Sequence, residues 1–359
     1  MKNKFTSVAL AAIILTYSLF SLGGVVASAE CGSAAAEQNT DGGIRVSSRF
    51  FELIFGGRDE KKAPLYLVPG GTVFGAKIKQ SGVVVTEIGT GSSQFCIGDR
   101  IIRIGGEDVK SLDDAKSKIN SSGGASLDIE LLRGGERRHI SVTPSLTGGS
   151  YKLGVVLKDG AAGIGTITYI TSNGKFGALG HGITDVDTGL LMQIDGGKLF
   201  DAEVLSVVKG KNGIPGELIG IIRQSGMSQI GEIDENCSKG IYGQVKLGMV
   251  DNSKAIPIAL KQDIKLGPAT IYCQVDSEVR EYEIEIERIE LGRTNDNKGL
   301  VIKITDEALL KKTGGIVQGM SGSPIIQDGK VVGAVTHVLV NDPTRGYGIF
   351  IENMLEAAE

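Results

Sequence analysis

The chain has 359 residues, with 38 Lys and Arg against 42 Asp and Glu, so its formal net charge is −4. This length exceeds that of one average domain and predicts two, each large enough to bury its own core. The weakly acidic charge argues against nucleic acid as a partner, because binding to a phosphate backbone depends on an excess of Lys and Arg.

The N-terminus has the pattern of an export signal. Two lysines precede an uncharged run from Phe5 to Ala29, which closes on an A-x-A cleavage pattern. The run is also about long enough to span a bilayer. We therefore expect residues 1–29 to be a signal peptide or an uncleaved membrane anchor, and the chain to be exported across the cytoplasmic membrane. Residues 30–62, rich in Ala, Gly, Ser and charge, predict a linker.

Cysteine usage predicts neither a zinc site nor a disulfide framework. The four cysteines are scattered without a C-x-x-C pair, and their spacing defines no pairing. We expect small buried or free thiols at Cys31, Cys96, Cys237 and Cys273.

Residues 63–145 predict a compact module of short strands with one helix. Ser111 is a candidate N-cap, with Asp114 three residues on, and Leu112, Ala115 and Ile119 then share one helical face. The segment from Gly98 to Gly106 resembles the G-D-x-I-x-x-[IV]-x-G signature of PDZ domains.

The PDZ resemblance implies peptide binding. These domains add an extended peptide as a strand beside a sheet edge, and backbone N–H groups capture its terminal carboxylate. The corresponding loop in this sequence is predicted at Val73, Phe74, Gly75 and Ala76. The alternative is a PDZ fold used only as a spacer or as a lid on the enzyme.

Residues 149–359 predict a second, β-rich domain. Many short apolar runs broken by glycine are typical of a β-barrel or sandwich. Ser172-Asn173-Gly174-Lys175 between two such runs indicates a hairpin. The predicted fold class is therefore mainly β, with the PDZ domain followed by a barrel domain.

Within this domain, the hexapeptide from Gly319 to Pro324 contains a candidate nucleophile. Ser321 lies in a Gly-x-Ser-Gly turn, and His181 in Gly-His-Gly could take its proton. The backbone N–H groups of Gly319 and Ser321 are candidates for an oxyanion hole, because the attacked carbonyl needs such donors. The alternative is an ordinary Gly/Ser turn of a β-rich domain.

Three longer motifs extend this interpretation. Gly180 to Asp185, Gly314 to Pro324 and Thr336 to Pro343 together resemble the stage IV sporulation protein B peptidases of endospore-forming bacteria. That family carries a membrane segment, a PDZ domain and a trypsin-like peptidase domain in this order. The resemblance therefore implies a chymotrypsin-like β-barrel fold for residues 149–359, with Ser321 as nucleophile and His181 as general base.

The resemblance also implies that Asp306 is the carboxylate that orients the base. In the chymotrypsin arrangement this aspartate lies in the first barrel, whereas Asp306 is close to Ser321 in sequence, so other residues stay open. A buried Thr or Asn could take the role, and the remaining candidate carboxylates are Asp185, Asp234, Asp251 and Asp342. The structural alternative for Asp306 is the N-cap of a short helix.

Other polar residues are expected to be structural. His337 could line the cleft or act as base, but a strand histidine satisfied by its neighbours is the simpler interpretation, as it is for His139. The run from Asp185 to Gly189 resembles the start of a calcium loop, yet its twelfth position is Gly196, so an EF-hand is excluded. We expect no metal and no cofactor.

The family resemblance finally implies a place and a role. The enzyme would be secreted from the forespore inner membrane into the intermembrane space, process itself near its N-terminus, and cleave a regulatory membrane protein. This cleavage would trigger processing of a mother-cell sigma-factor precursor. Two alternatives are an inactive, membrane-tethered PDZ scaffold and a broad secreted housekeeping protease.

Overall fold

The computed structural model describes residues 65–89, 92–186, 188–223, 226–292 and 297–358. The predicted signal or anchor and the predicted linker lie outside these residues. Strands dominate the described part, as the sequence predicts. No helix in this part is long and apolar enough to cross a membrane.

The strands that precede the C-terminal barrel build the first barrel and the PDZ module. They are β1 (Tyr66–Pro69), β2 (Val73–Ile88), β3 (Arg100–Ile104), β4 (Glu107–Asp108), β5 (Leu127–Arg133), β6 (Glu136–Val142), β7 (Ser145–Thr147), β8 (Ser150–Lys152), β9 (Val155–Ile170), β10 (Lys175–Ala178), β11 (Gly196–Val208), β12 (Gly216–Ile222), β13 (Gln229–Cys237), β14 (Gly240–Val245) and β15 (Ile256–Pro257).

The remaining elements are the strands of the second barrel, the short strand β19 that pairs with β12, and three α-helices. The strands are β16 (Gly267–Gln274), β17 (Val279–Ile289), β18 (Leu300–Ile304), β19 (Val317–Gln318), β20 (Pro324–Gln327), β21 (Lys330–Leu339) and β22 (Asp342–Phe350). The helices are α1 (Leu112–Ser121), α2 (Glu307–Thr313) and α3 (Ile351–Glu356).

The first barrel closes through the antiparallel pairing of β2 with β9. The ring runs β9, β10, β14, β13, β11, β2 and back to β9, so each strand in it has a partner on both edges. Alternate side chains of these strands point inward. They form an apolar core that includes Phe74, Ile167, Phe176, Leu199 and Ile241.

The predicted hairpin joins β9 to β10 in this barrel. Thr171 N donates to Lys175 O at 2.8 Å, and Gly174 N donates to Thr171 O at 2.9 Å. Gly174 has a φ of +84°, a conformation that glycine adopts without strain. The hairpin prediction is confirmed, and the turn returns the chain along β10 toward His181.

The second barrel is a closed ring of β16, β17, β18, β22, β21 and β20. Its core consists largely of β-branched and aliphatic side chains, among them Ile271, Ile284, Ile302, Ile325 and Val335. Helix α3 follows β22 and packs in a neighbouring cluster with Leu67 of β1. Two six-stranded antiparallel barrels are the architecture of chymotrypsin-like peptidases, so the predicted fold class is confirmed.

The PDZ module is inserted into the first barrel and does not precede it. The inner halves of β2 and β9 pair with each other in the barrel, and their outer halves continue into the PDZ core around Val83, Ile101 and Leu131. The predicted boundary at residue 63 therefore differs from the structure. β1 and the first half of β2 belong to the peptidase barrel.

Helix α1 forms as its sequence predicts. Ser111 is the N-cap and accepts a hydrogen bond from Asp114 N at 3.1 Å. Ala115 and Ile119 are buried in the PDZ core, while Leu112 packs at its edge. This capping and apolar spacing hold α1 over the sheet.

Candidate active site

Ser321 lies at the interface of the two barrels, in the turn between β19 and β20. The turn is closed by hydrogen bonds from Ser323 N to Met320 O at 2.9 Å and from Gly322 N to Val335 O at 2.8 Å. Ser321 is partly exposed, whereas Ser323 is fully buried and its hydroxyl has no partner among the described residues. Of the two serines in the motif, Ser321 is therefore the one that a substrate can reach.

The backbone of this turn leaves two donors free. Gly319 has a φ of +97°, which turns the chain at a place where a side chain would press against Leu218. Met320 N donates back to Val317 O at 3.1 Å. Within the described chain, neither Gly319 N–H nor Ser321 N–H has an acceptor. Both can donate to an oxyanion, as the sequence predicts.

His181 follows a tight turn at the end of β10. Leu179 has a φ of +69° although it is not glycine, and the ring of His181 is partly buried behind it. Nδ1 lies 2.9 Å from Gly182 O. A carbonyl oxygen only accepts, so Nδ1 carries the proton and Nε2 keeps its lone pair. This is the tautomer that a general base needs.

Burial favours the neutral form of His181. Loss of solvent lowers the pKa of His181 below its usual value, and the hydrogen bond to Gly182 O opposes the shift only in part. A base whose pKa lies below neutral pH is unprotonated at physiological pH and ready to accept a proton.

Ser321 and His181 both border the segment Thr336-His337 of β21. Ser321 Oγ donates to Thr336 O at 2.6 Å, and the rings of His181 and His337 have centroids 4.9 Å apart. In this conformation the hydroxyl of Ser321 is bonded to a carbonyl and not to Nε2 of His181. Formation of the reactive pair requires Ser321 Oγ to leave Thr336 O, and catalytic hydrogen bonds often tighten only when substrate binds.

His337 is a neutral neighbour of the base. Burial first, then the charges of His181 and Lys298, lower the pKa of His337 to about 3. Its Nδ1 is buried without a hydrogen-bond partner among the described residues. The expectation that strand neighbours satisfy His337 is therefore wrong for Nδ1, because the ring is buried beside that of His181 and no acceptor among the described residues reaches this atom.

Asp306 occupies the cap that the structural alternative describes. Its side chain accepts a hydrogen bond from Leu309 N at 2.8 Å and begins α2. No hydrogen bond or ion pair among the described residues joins Asp306 to His181. In this conformation the orienting acceptor of His181 is the carbonyl of Gly182, and a catalytic role for Asp306 stays a prediction.

The alternative carboxylates serve local turns. Asp185 accepts from Thr188 N at 2.8 Å, and Asp251 accepts from Ser253 N at 3.2 Å. Asp342 pairs with Arg345, and Asp234 is exposed on β13. Across the described ranges no group of three or more metal-binding side chains is present.

The predicted peptide-binding residues Val73, Phe74, Gly75 and Ala76 lie in the wrong place for this role. They form the inner half of β2, where Phe74 pairs with Gly165 of β9 on one edge and with Asp201 of β11 on the other. A strand that is paired on both edges cannot accept a peptide strand. The prediction is wrong because it relied on linear order, whereas β2 begins in the barrel.

An open strand edge lies at the start of β9. Residues 155–164 of β9 pair only with β2 among the described strands, and Val156 is 43% exposed. Helix α1 flanks this edge, since Leu112 N donates to Asp159 Oδ2 at 2.7 Å. Leu153 and Gly154 lead into the strand, and Ser92 Oγ donates to Leu153 O at 2.9 Å. This groove is where the geometry allows a peptide to add as a strand.

Sequence reasoning missed two residues that hold the base and the nucleophile. Asn236 of β13 holds the chain that follows His181. Its Oδ1 accepts a hydrogen bond from Ile183 N at 2.8 Å, and its Nδ2 donates to Ile183 O at 2.9 Å. Thr166 of β9 donates through Oγ1 to Gly319 O at 2.7 Å. Both come from strands far from the motifs in sequence, so no local pattern marks them.

Several solved structures are similar to parts of this chain. The PDZ domain of the SdrC-like protein from Listeria monocytogenes is 22% identical, with a TM-score of 0.21, and covers 23% of this chain and 92% of its own. The Rv3671c protease from M. tuberculosis in its active form is 15% identical, with a TM-score of 0.30, and covers 55% of this chain and 74% of its own. The inactive form of the same protease is 13% identical, with a TM-score of 0.28, and covers 54% of this chain and 82% of its own.

Among curated proteins, none matches this chain. The family comparison is decisive, because the SpoIVB peptidase S55 family matches residues 149–355, which is more than half of the chain. These residues contain His181, Asp306 and Ser321. The chain belongs to the SpoIVB peptidase S55 family and is a serine peptidase.

Proposed function

We propose that this chain is an exported endopeptidase of sporulation that cuts its own N-terminal linker and a regulatory membrane protein. The observation that carries the proposal is the position of Ser321, partly exposed at the junction of two barrels, with His181 on the facing turn and two free N–H donors beside it. These groups suffice for acyl transfer from a peptide bond.

The reaction begins when Ser321 Oγ leaves Thr336 O and attacks the scissile carbonyl. Nε2 of His181 takes the hydroxyl proton, and the Gly319 and Ser321 N–H groups stabilise the oxyanion. The imidazolium then gives the proton to the leaving amine, which departs and leaves an acyl-enzyme. Water, deprotonated by the same nitrogen, releases the acyl group and restores Ser321.

Family membership supports the cellular part of the proposal. The enzyme acts after export, anchored or released near the forespore inner membrane, on a regulatory membrane protein in the intermembrane space. Cleavage of that partner triggers processing of the sigma-factor precursor in the mother cell. The inserted PDZ module supports a restricted substrate, because the groove between β9 and α1 offers a second recognition site for an extended peptide.

Self-cleavage is the part that one experiment tests directly. We expect wild type expressed in a spore-forming host to show new N-termini between Glu30 and Gly43, because extended linkers are the segments that proteases cut most readily. Ser321→Ala should lack these termini, and Ser323→Ala should keep them, since the Ser323 hydroxyl is buried. N-termini are mapped by mass spectrometry of the protein recovered from cells.

Three outcomes would contradict the proposal. Identical N-termini in wild type and Ser321→Ala would show that signal peptidase or another protease does the cutting. Labelling of the Ser321→Ala protein by a serine-directed fluorophosphonate would place the nucleophile elsewhere. Broad degradation of unfolded proteins by the wild type, without dependence on a membrane partner, would favour the housekeeping alternative.

A further inference from the structure

We propose that Thr166 is a positioning residue, which holds the oxyanion-hole turn in its active geometry through the carbonyl of Gly319. Thr166 lies on β9 and is fully buried. All three of its polar groups are used at the site. Its N–H donates to Ser321 O at 3.1 Å, its carbonyl accepts from Leu179 N at 3.2 Å, and Oγ1 donates to Gly319 O at 2.7 Å.

These three bonds connect the nucleophile turn to the turn that carries His181. Leu179 precedes the base by two residues and has an unusual φ of +69°, so its N–H needs a fixed acceptor to keep that conformation. Ser321 is the nucleophile itself. The main chain of Thr166 therefore sets the distance between the two turns, and its side chain controls the orientation of the third group, Gly319.

The hydroxyl of Thr166 is needed because Gly319 is conformationally free. A glycine at φ +97° can rotate its flanking peptides more easily than any other residue. The peptide that joins Gly319 to Met320 is held at both ends, by Thr166 Oγ1 on its oxygen and by Val317 O on its N–H. Without the hydroxyl the carbonyl of Gly319 is released. Rotation about the backbone bonds of Gly319 can then reorient the preceding peptide, which carries Gly319 N–H, away from the oxyanion.

The three segments that meet at Thr166 are closely packed. A Cβ on Gly322 would collide with the carbonyl oxygen of Thr166 and lie 2.6 Å from Leu179 N. The turn, β9 and the His181 turn are thus in backbone contact at Thr166, which is itself fully buried. The effect of removing the hydroxyl should therefore appear in the chemistry step.

The same strand provides a matched control. Thr168 is also fully buried on β9, and its Oγ1 has no hydrogen-bond partner among the described residues. Thr168→Val removes a hydroxyl of the same kind, at the same depth, without breaking a bond. Thr166→Val removes the bond to Gly319, and Thr166→Ser keeps the hydroxyl while removing the methyl group.

The test uses the full chain in detergent, with p-nitrophenyl acetate as substrate and a fluorophosphonate as active-site probe. Loss of one oxyanion donor costs about 10²–10³ in kcat, so we expect Thr166→Val to lower kcat by about tenfold or more at unchanged KM. Fluorophosphonate labelling should slow in parallel, since phosphonylation also places negative charge on an oxygen. Thr168→Val should match wild type, and Thr166→Ser should recover most of the rate.

This proposal rests on the peptidase chemistry of Ser321 but not on the cellular substrate. If the wild type is not labelled by the fluorophosphonate, or if Ser321→Ala is still labelled, the assignment of Ser321 as nucleophile is wrong. Those results bear on the proposed function and not on the role of Thr166. Wild-type rates in Thr166→Val, or a loss in Thr166→Ser equal to that in Thr166→Val, would overturn the proposal. A Thr166→Val chain that does not fold while Thr168→Val folds would also overturn it, because the hydroxyl would then serve the fold and not the site.

Discussion

At the residue scale, the candidate nucleophile Ser321 and the candidate base His181 are held by backbone groups more than by side chains. Ser321 Oγ bonds a carbonyl of β21, and His181 Nδ1 bonds the carbonyl of the next residue. Backbone acceptors cannot be removed by point mutation. The side chains that remain testable are therefore Asp306, which resemblance selects, and His337, which the structure places against the base.

Asp306 can be tested with two substitutions that separate its possible roles. Asn caps helices about as well as Asp, whereas Ala loses about 1 kcal/mol. We expect Asp306→Ala to lower the free energy of unfolding by about that amount and Asp306→Asn to leave it unchanged, as measured by thermal unfolding. Turnover of the Asn variant then decides the catalytic role, because loss of an orienting aspartate costs roughly 10⁴ in kcat.

If Asp306→Asn lowered kcat by roughly 10⁴, α2 would have to move when substrate binds. In the present conformation the carboxylate of wild-type Asp306 accepts from Leu309 N and does not reach His181. Turnover close to wild type at an unchanged melting temperature would leave Asp306 with the cap alone. The same two variants thus measure stability and chemistry independently.

His337 gives the protein a dependence of stability on pH. Its folded-state pKa of about 3 lies below the ordinary histidine value of 6.5, so the unfolded chain binds the proton first as pH falls. Its contribution to stability is full above about pH 6.5 and is lost progressively toward pH 3, at up to about 1.4 kcal/mol per pH unit. We expect the melting temperature to fall less between pH 7 and 5 in His337→Gln than in wild type.

The pH comparison has an internal control. His181 remains in both proteins, and burial lowers its pKa in the same direction, so its effect and those of the carboxylates are shared. Exposed His139, 3.5 Å from Asp128 across β5 and β6, provides a second variant, His139→Gln, at a histidine remote from the site. An equal fall in wild type and His337→Gln would show that His337 titrates normally in the folded protein.

The sequence predicts roles only for residues that carry their own signal. The Gly-x-Ser-Gly turn and Gly-His-Gly mark Ser321 and His181 by composition alone. Thr166 and Asn236 are ordinary strand residues, and their roles arise only from pairing: Thr166 Oγ1 and Gly319 O are 153 positions apart in sequence. Asp306 is the opposite case. The family resemblance implies that it orients the base, whereas its side chain accepts a hydrogen bond from Leu309 N as the N-cap of α2.

At the element scale, nearby residues are enough to predict the helix start and the hairpin turn. They are not enough to predict where a long strand changes its pairing partner. The N-cap at Ser111 and the Asn-Gly hairpin are decided within a few residues, and both formed as predicted. β2 and β9 each run for 16 residues through two modules. Nothing in the composition of a continuous strand marks the point where its partner changes from barrel to PDZ sheet, so the domain boundary and the peptide-binding loop were misplaced.

The same two strands form one side of the site. Inner β9 contributes Thr166, and inner β2 pairs with it from Val73↔Thr166 to Lys79↔Gly160. The outer part of β9 forms the open edge beside α1. One element, β9, therefore carries both the open edge beside α1 and Thr166, which bonds the carbonyl of Gly319 in the nucleophile turn.

At the scale of the whole molecule, the barrels and the PDZ module have separate cores. The first-barrel core and the PDZ core share no residue. A direct side-chain link between them is the hydrogen bond from Arg100 to Gln193 at 2.6 Å. Separate cores with two connecting strands predict that the insert can be removed without unfolding the peptidase.

The register of β2 and β9 defines where to cut. Lys79 and Gly160 are directly opposed, so replacing residues 81–158 by Asn-Gly leaves Gln80 and Asp159 on either side of a two-residue hairpin loop. We expect this chain to unfold cooperatively on heating and to label with fluorophosphonate at Ser321. Deleting residues 63–145 instead removes β1 and β2, which breaks the first barrel and exposes its core, so that chain should neither unfold cooperatively nor label. Ser321→Ala in the excised chain controls for non-specific labelling. If the residue 63–145 deletion folded and labelled while the hairpin replacement did not, the PDZ module would be a separate N-terminal domain and the shared strands would have no structural role.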